Sequence, residues 1–449
     1  MYNTGANIKW QQQTAGIYIK NTWVSLFFMA LNKQKIQIIR DRFATMQNVE
    51  ELVQLLNFAK GILYPPTEKT KPIQLKSVTF YANFLLSQQK RYKSFSIKKK
   101  SGGERIISAP HPTLKLIQRC LNLLLTALYE PHQAVMGFVP NRNIVENAKV
   151  HVGKKYVFNI DLKDFFPSIE LHRIKAVLKL PPFNLNEDRE KLAYMIANLC
   201  CHVTNNEEEI LPKYKVGDGY DLAYFDELKS RAFLPQGAPT SPVLSNIICQ
   251  KLDRRLNGLA KKVGVKYTRY ADDITFSADS DVFNLTFKAE MRRIVEEQRF
   301  IINEKKVRLQ GIGYKQEVTG LVVNEKVNVS KKYVREIRTI LHNWEKLGEA
   351  EAEKVFLSFY IPQKGHIKKG KPNFRNVLWG KLQFLAMVRG KEDVIVMRYI
   401  EQYNRLNPKP ITVDLQNLSL ADILAVWETN GIEKAMELYY SNFEGDAKN

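Results

Sequence analysis

The stretch "VKYTRYADDITFSAD", residues 265–279, sets two adjacent carboxylates, Asp272 and Asp273, between two runs of β-formers. Val265, Tyr267, Ile274 and Phe276 recur at period two on either side of the pair, which predicts two short strands joined at Ala271-Asp272. Asp tolerates turn conformations and bonds its own backbone, so an isolated Asp-Asp at a hairpin tip is ordinary turn chemistry. What the rest of the chain brings to these carboxylates decides their meaning.

A third carboxylate stands upstream. In "KYVFNIDLKDFFPSI" a strand rich in Val, Phe and Ile ends at Asp161, with Asp164 three residues on and Pro167 closing the run. A buried strand that ends in an unpaired carboxylate is costly unless a cation or a donor meets it. Placed beside the Asp272/Asp273 hairpin in one sheet, Asp161 completes a set of three carboxylates suited to a hard dication such as Mg²⁺, which takes oxygen ligands. Two such ions can activate a hydroxyl and stabilise a leaving pyrophosphate. Spacing alone does not bring the three together.

With 449 residues, 45% of them hydrophobic, the chain can build two or three packed subdomains and is not a disordered protein. Its formal net charge of +22 points to a polyanionic partner, because clustered Lys and Arg gain affinity for phosphates by releasing counterions. The excess is uneven: from Ile411 onward seven acidic residues stand against Lys434 and Lys448, so this tail is not expected to touch nucleic acid. Cys120, Cys200, Cys201 and Cys249 show no C-x-x-C spacing, which argues against a zinc site or a disulfide scaffold and fits a reducing cytoplasm. The apolar run "WVSLFFMAL" is too short to span a bilayer and poorly placed for a signal peptide, so a cytoplasmic protein with no membrane partner is expected. Met29 opens a plausible start of its own, which sets residues 1–28 apart as an extension.

Along the chain, Ile36, Ile39 and Phe43, then Val49, Leu52, Val53 and Leu56, predict two helices before Pro65-Pro66. "FSIKKKSGGERIISAP" reads as a strand, a basic Gly-containing turn and a second strand, and Lys98 and Arg105 flank that turn. "LKLIQRCLNLLLTAL" is an apolar helix, followed by a loop through Gly137, Pro140 and Asn141 and a helix around "NIVENAKVH". "FLPQGAPTSPVLSN" is a Pro- and Gly-rich turn opening into a helix, which brings the backbone and Gln236 close to any ligand. In "VSKKYVREIRTILHNWEKL", Val334, Ile337, Leu341 and Trp344 share one helical face, with Lys331, Lys332, Arg335 and Arg338 around the start.

In order, "SIKKKSGGERIISAP", "NIDLKDFFPSI", "LPQGAPTSPVLSN", "RYADDITFSAD" and "INEKKVRLQG" resemble the successive blocks of reverse transcriptases. The third has the Q-G-x-P-T-S-P form shared by bacterial retron and group II intron enzymes, and "NAKVH" (Asn147, Ala148, His151) and "VTG" (Val318, Thr319, Gly320) look like the two signatures of retron reverse transcriptases. The resemblance covers roughly residues 35–405 and implies an α+β right-hand polymerase. Its expected parts are N-terminal helices and fingers over 29–155, a palm with an antiparallel sheet over 156–325 carrying a fingers insertion at about 182–232, and a helical thumb over 326–408. An acidic appendage, 409–449, follows.

What the resemblance implies falls on individual positions. Asp161, Asp272 and Asp273 are the metal-binding catalytic triad for two Mg²⁺ ions, aided by the backbone carbonyl beside Asp161. Phe165 and Phe166 line the nucleotide, Phe166 excluding a 2′-hydroxyl; Gln236 contacts the incoming dNTP and Lys98 and Arg105 its phosphates. Lys305 or Lys306 stands near the leaving pyrophosphate, the choice being open. Tyr270, Val318, Thr319 and Gly320 meet primer and template; Asn147, His151, Lys331, Lys332, Arg335 and Arg338 meet RNA. The implied activity is synthesis of branched multicopy single-stranded DNA (msDNA) on a cognate structured non-coding RNA, in anti-phage defence with a separately encoded effector. No RNase H carboxylate cluster or HNH nuclease signature follows the thumb, so RNA removal is expected of host RNase H. The alternatives are another defence-associated or group II intron-like reverse transcriptase, a catalytically silent RNA-binding scaffold, and a polymerase whose cellular role is to restrain a toxin.

Overall fold

A computed structural model describes residues 31–64, 71–98, 103–203, 215–216, 219–220, 232–364 and 372–408. The expected extension 1–28, residues 204–214, 217–218 and 221–231 of the insertion, the appendage 409–449 and the side chain of Lys98 lie outside the described residues. Two compact units divide between Val327 and Asn328.

The first unit opens with α1 (Lys33–Thr45), α2 (Val49–Leu63), α3 (Leu75–Ala82) and α4 (Phe84–Arg91). Asn32 and Asn48 start α1 and α2 by accepting the N–H three residues on, and Glu51 returns its carboxylate to the N–H of Gln47. The buried side of α2, through Leu52, Leu55, Leu56 and Ala59, packs on the apolar helix α5 (Pro112–Leu128). Between these lies the hairpin of β1 (Tyr92–Lys98) and β2 (Glu104–Pro110), paired from Tyr92↔Pro110 to Lys98↔Glu104. Next come the short α6 (Ile144–Lys149), capped by Asn143, then β3 (Tyr156–Lys163), α7 (Leu171–Leu178) and α8 (Glu190–Cys200). Two small ladders follow, β4 (His202–Val203) with β7 (Ala232–Phe233) and β5 (Lys215–Val216) with β6 (Gly219–Tyr220).

The central sheet takes shape after α9 (Ser241–Ile248) and α10 (Gln250–Lys262), where β8 (Lys266–Tyr270) turns back into β9 (Asp273–Ala278). After α11 (Leu285–Glu297) come β10 (Ile301–Ile302) and β11 (Arg308–Gln310), and the strand order is β10-β3-β9-β8 with β11 also on β3. All pairs are antiparallel. The period-two pattern sorts the faces. Phe158, Ile160, Tyr267, Ile274 and Phe276 bury one face beneath α10 and α11, where the Phe276 and Phe287 rings stand 5.3 Å apart, edge to face. Asn159, Asp161, Thr268, Tyr270, Asp273, Thr275 and Ser277 occupy the other. The hairpin β12 (Glu317–Val318) and β13 (Leu321–Val322) turns through Thr319 and Gly320, both at positive φ (47° and 81°), the pattern of a tight two-residue hairpin turn.

One charged pair lies on the apolar side. Arg269 of β8 and Asp253 of α10 are both 0% exposed, joined by Nε to Oδ1 and Nη2 to Oδ2 at 2.7 Å each. The Tyr267 hydroxyl donates to the same Oδ1 at 2.7 Å, and Arg269 Nη2 reaches Asn246 Oδ1 at 3.2 Å. Burial of this kind is tolerable only because every charge is met.

In the second unit, α12 (Lys331–Lys364) breaks at Gly348, where φ is +75°, and packs with α13 (Phe374–Arg389) and α14 (Val394–Leu406). Ile337, Leu341 and Trp344 are buried as their spacing predicts, Val334 is half-buried, and Trp344 meets Phe374 edge to face at 5.2 Å. Lys331, Lys332, Arg335 and Arg338 are exposed. Among the described residues no helix is long and apolar enough to cross a membrane.

Removing one member of the buried pair strands the other. Arg269→Met should destabilise by about 3–5 kcal/mol, and Arg269→Met with Asp253→Leu by less than the sum of the two singles. Chemical denaturation of the three variants checks both, and an additive double would show that the pair is not coupled.

Candidate active site

Antiparallel pairing puts Asp161 of β3 directly opposite Asp273 of β9, and Asp273 opposite Tyr270 across the two-residue turn that holds Asp272. Backbone pairing therefore brings the three residues to one strand end, within electrostatic reach of one another, as the spacing alone could not establish. The turn is pinned from several directions. Ala271 sits at φ 58°, unusual for a residue with a side chain, and Arg269 Nη1 holds its carbonyl at 3.0 Å. The Leu162 N–H donates to the Asp272 carbonyl at 3.0 Å, which ties the tip to β3. Gly137 lies against the turn so closely that a Cβ there would stand 2.7 Å from the Ala271 nitrogen, which explains why the position is glycine. The loop bearing Gly137 is in turn held by Asn246 Nδ2 on the Gly137 carbonyl at 2.9 Å.

Three acids on one tip repel one another. Burial first, then the charge of Asp272 and of Asp161, pushes the Asp273 carboxyl up to about 7; burial and then Asp161 also raise Asp272, against the pull of Lys306 and Arg105. Lys306 Nζ lies 2.9 Å from both oxygens of Asp161, and Asn303 closes in with its backbone N–H on the Asp161 carbonyl at 2.8 Å. Lys306, rather than Lys305, is thus the lysine at the carboxylates. Among the described residues no three acidic, imidazole or thiol groups stand close enough together to hold a metal ion by themselves. The oxygen-only donor set and the raised acids nonetheless suit hard cations, and the Lys306 ammonium already sits where positive charge is favoured.

An aromatic wall borders the turn. Phe138, at φ 61° and 40% exposed, has its ring 6.3 Å from both Phe166 and Tyr270. Phe166 is half-buried, but Phe165 is 4% exposed and packs on Phe300 at 5.6 Å. The nucleotide contact expected of Phe165 is therefore corrected: its ring belongs to the core and backs Phe166. Gln236 is half-buried and its carbonyl accepts the Ser108 N–H at 2.8 Å, which stitches its loop to β2. Gly237, at φ 123°, allows this, since a Cβ would meet the Ser108 carbonyl at 2.8 Å. Arg105 is exposed on the same hairpin, within electrostatic reach of Asp272.

The two short signatures need correction as well. His151 is 0% exposed, with Nδ1 2.7 Å from Ser277 Oγ and Nε2 2.7 Å from Thr268 Oγ1, and burial pushes its imidazole down to about 3. Asn147 is 1% exposed and donates to Thr319 Oγ1 at 3.4 Å, and Val318 is 0% exposed. These three side chains hold the polar face of the sheet, α6 and the β12–β13 hairpin together, so none of them faces an RNA or a primer. Thr319 is half-buried and Gly320 is exposed at the turn.

Sequence reasoning passed over Gly137, Phe138, Asn246, Asp253, Arg269 and Asn303. One signal was available: Arg269 shares the parity of Tyr267 on a strand whose inward positions are apolar, and Asp253 falls on the buried side of α10 beside Leu252 and Leu256. Two charges at inward positions of neighbouring elements predict each other.

Residues 97–324 match the reverse transcriptase (RNA-dependent DNA polymerase) family. The chain belongs to that family, and with it to the α+β right-hand polymerases. Its relatives place it among the retron type: it is 35% identical over 268 residues to the retron Mx65 reverse transcriptase of Myxococcus xanthus, covering 60% of this chain and 59% of that one. To the retron Ec86 reverse transcriptase of Escherichia coli it is 31% identical over 278 residues, covering 60% of this chain and 76% of that one. The chain thus spans about three-fifths of the length of the Myxococcus relative.

Replacing Asp273 by Asn removes a charge that the fold disfavours. Its raised carboxyl makes stability fall as pH rises from about 4 to about 7, so Asp273→Asn should raise the unfolding midpoint of metal-free protein at pH 8 by about 2–4 °C. Added Mg²⁺ is expected to raise the parent's midpoint and to leave the variant's unchanged; calorimetry with and without the ion reads both.

Proposed function

We propose that this chain is an RNA-directed DNA polymerase of retron type, which copies a cognate structured non-coding RNA from an internal 2′-hydroxyl and leaves branched msDNA. The observation that carries the reading is the opposition of Asp161 and Asp273 with Asp272 at the adjoining turn. These three residues would hold two Mg²⁺ ions, which supply activation of the attacking hydroxyl and neutralisation of the leaving pyrophosphate.

The rest of the site serves orientation. Phe166, braced by Phe165 and bordered by Phe138, closes the sugar position against a 2′-hydroxyl and so selects dNTPs. Arg105 and Lys98 on the fingers hairpin take the triphosphate, since guanidinium and ammonium groups offset its charge. Gln236 presents its side chain from a loop whose backbone is fixed to β2. Lys306, held on Asp161 in the free protein, faces the departing pyrophosphate; Lys305 beside it is exposed. Tyr270, Thr319 and Gly320 support primer and template, and Lys331, Lys332, Arg335 and Arg338 track the backbone of the RNA or hybrid. Host RNase H and a separately encoded effector complete the system, a cytoplasmic anti-phage defence.

The test is to purify the protein from its native operon, extract the bound nucleic acid, and sequence it with and without ribonuclease and debranching treatment. A single DNA species joined through a debranchable 2′-5′ link to a structured RNA is expected; RNA without attached DNA would overturn the reading. Asp272→Asn or Asp161→Asn should lower DNA synthesis by at least about 10³-fold with RNA binding nearly intact, and lost binding would make the triad structural. Phe166→Ala should cut the preference for dNTPs over ribonucleotides about 10- to 100-fold in kcat/KM, and unchanged selectivity would remove its gate role.

A further inference from the structure

Helix α10 carries a basic stripe that the polymerase reading does not use. Lys251, Arg254, Gly258, Lys261 and Lys262 recur at i, i+3, i+7, i+10 and i+11, one face of a helix, and all five are exposed. Leu252, Asp253, Leu256 and Ala260 are buried on the opposite side, which packs on β8 and α11. That packing is on the apolar face of the sheet, whereas Asp161 and Asp273 lie on the polar face. The stripe therefore points away from the carboxylates, and nucleic acid lying on it does not enter the catalytic face.

Two features favour a phosphate backbone over plain solvent. Gly258 stands at the centre of the stripe, in ordinary helical backbone, and a Cβ there would meet nothing within 4 Å. A helix-interior glycine is destabilising, and neither packing nor an unusual φ accounts for this one. It leaves a notch between four cations into which a sugar-phosphate strand can settle. Most of the charges are also left available: of the outward cations on this helix only Arg255 takes an ion pair among the described residues, with Glu297, while Glu290 of α11 is held by Arg293 at 2.6 Å and feels Lys262 only at longer range. The field extends past the helix, since burial first and then Lys261, Arg142 and Arg254 hold the His132 imidazole down against the pull of Asp253. Large apolar side chains, which an interfacial helix inserts into lipid, are missing from the stripe.

We propose that this face of α10 is a second nucleic-acid surface, which grips a double-helical part of the structured RNA on the side of the palm opposite the catalytic face. The inference rests on the reading of the chain as a polymerase that carries a structured RNA. The stripe spans roughly 16 Å along the axis, enough for several phosphates of one strand.

The experiment saturates the cleft with a short RNA–DNA hybrid and then measures binding of a fluorescent RNA hairpin across a salt series. The parent should still bind the hairpin. The variant K251Q/R254Q/K261Q/K262Q should bind at least about tenfold more weakly, with a salt slope smaller by roughly three to four, while extending the short hybrid at the parental rate. The variant G258Q, which fills the notch and favours the helix, should unfold at a higher temperature yet bind the hairpin more weakly. Unchanged hairpin affinity in both variants would overturn the proposal, as would hairpin binding abolished in the parent by the hybrid, or a stripe-dependent affinity for phosphatidylserine vesicles without one for RNA. Failure of the parent to extend the hybrid would instead strike the polymerase reading and leave the binding measurement intact.

Discussion

Three carboxylates held at one strand end repel one another, and much of the first unit is arranged to keep them there. Asp161 and Asp273 face each other because β3 and β9 pair in that register, and a slip of one residue would turn one of them to the opposite face. The sheet alone would not hold the tip. Arg269 grips the strained Ala271 carbonyl, Asp253 neutralises Arg269, and Asn246 links both to the Gly137 loop. A buried ion pair is a poor source of stability, but this one fixes the Arg269 guanidinium where it holds the Ala271 carbonyl. That carbonyl belongs to the turn on which the acids depend.

The same economy of space governs the glycines. Gly137 and Gly237 stand where backbone meets backbone, one against the aspartate turn and one against β2 of the fingers hairpin. Each brings a loop into contact that any side chain would push away by more than half an ångström. Through them the aromatic residue Phe138 comes to border the aspartate turn and the loop of Gln236 is stitched to β2, placements a sheet and its helices alone do not provide.

The short signatures serve differently from what their sequence context implies. His151 is held between Thr268 and Ser277, one hydroxyl from each strand of the aspartate hairpin, and Asn147 joins Thr319 of the next hairpin. Two segments far apart in sequence are thus one packing unit beneath the polar face. Residues that look like ligand contacts when read in a line can be the fasteners of the elements that make the contacts, because a buried polar group must find its partner inside the protein.

The sequence by itself determined the main elements and the family. Period-two apolar runs specify β8 and β9, a run rich in Val, Phe and Ile specifies β3, a strongly apolar run specifies α5, helical spacing specifies the start of α12, and the ordered blocks point to the family. The signals for the elements are local, carried by neighbours two to four residues apart. Tertiary structure alone decided which of two adjacent lysines meets Asp161, that Phe165 turns inward while Phe166 does not, and that His151, Asn147 and Val318 are buried. It also decided the pairing of Arg269 with Asp253, across 16 positions and two elements. Each of these depends on which faces come together, and a face acquires its partner only when the chain has closed on itself.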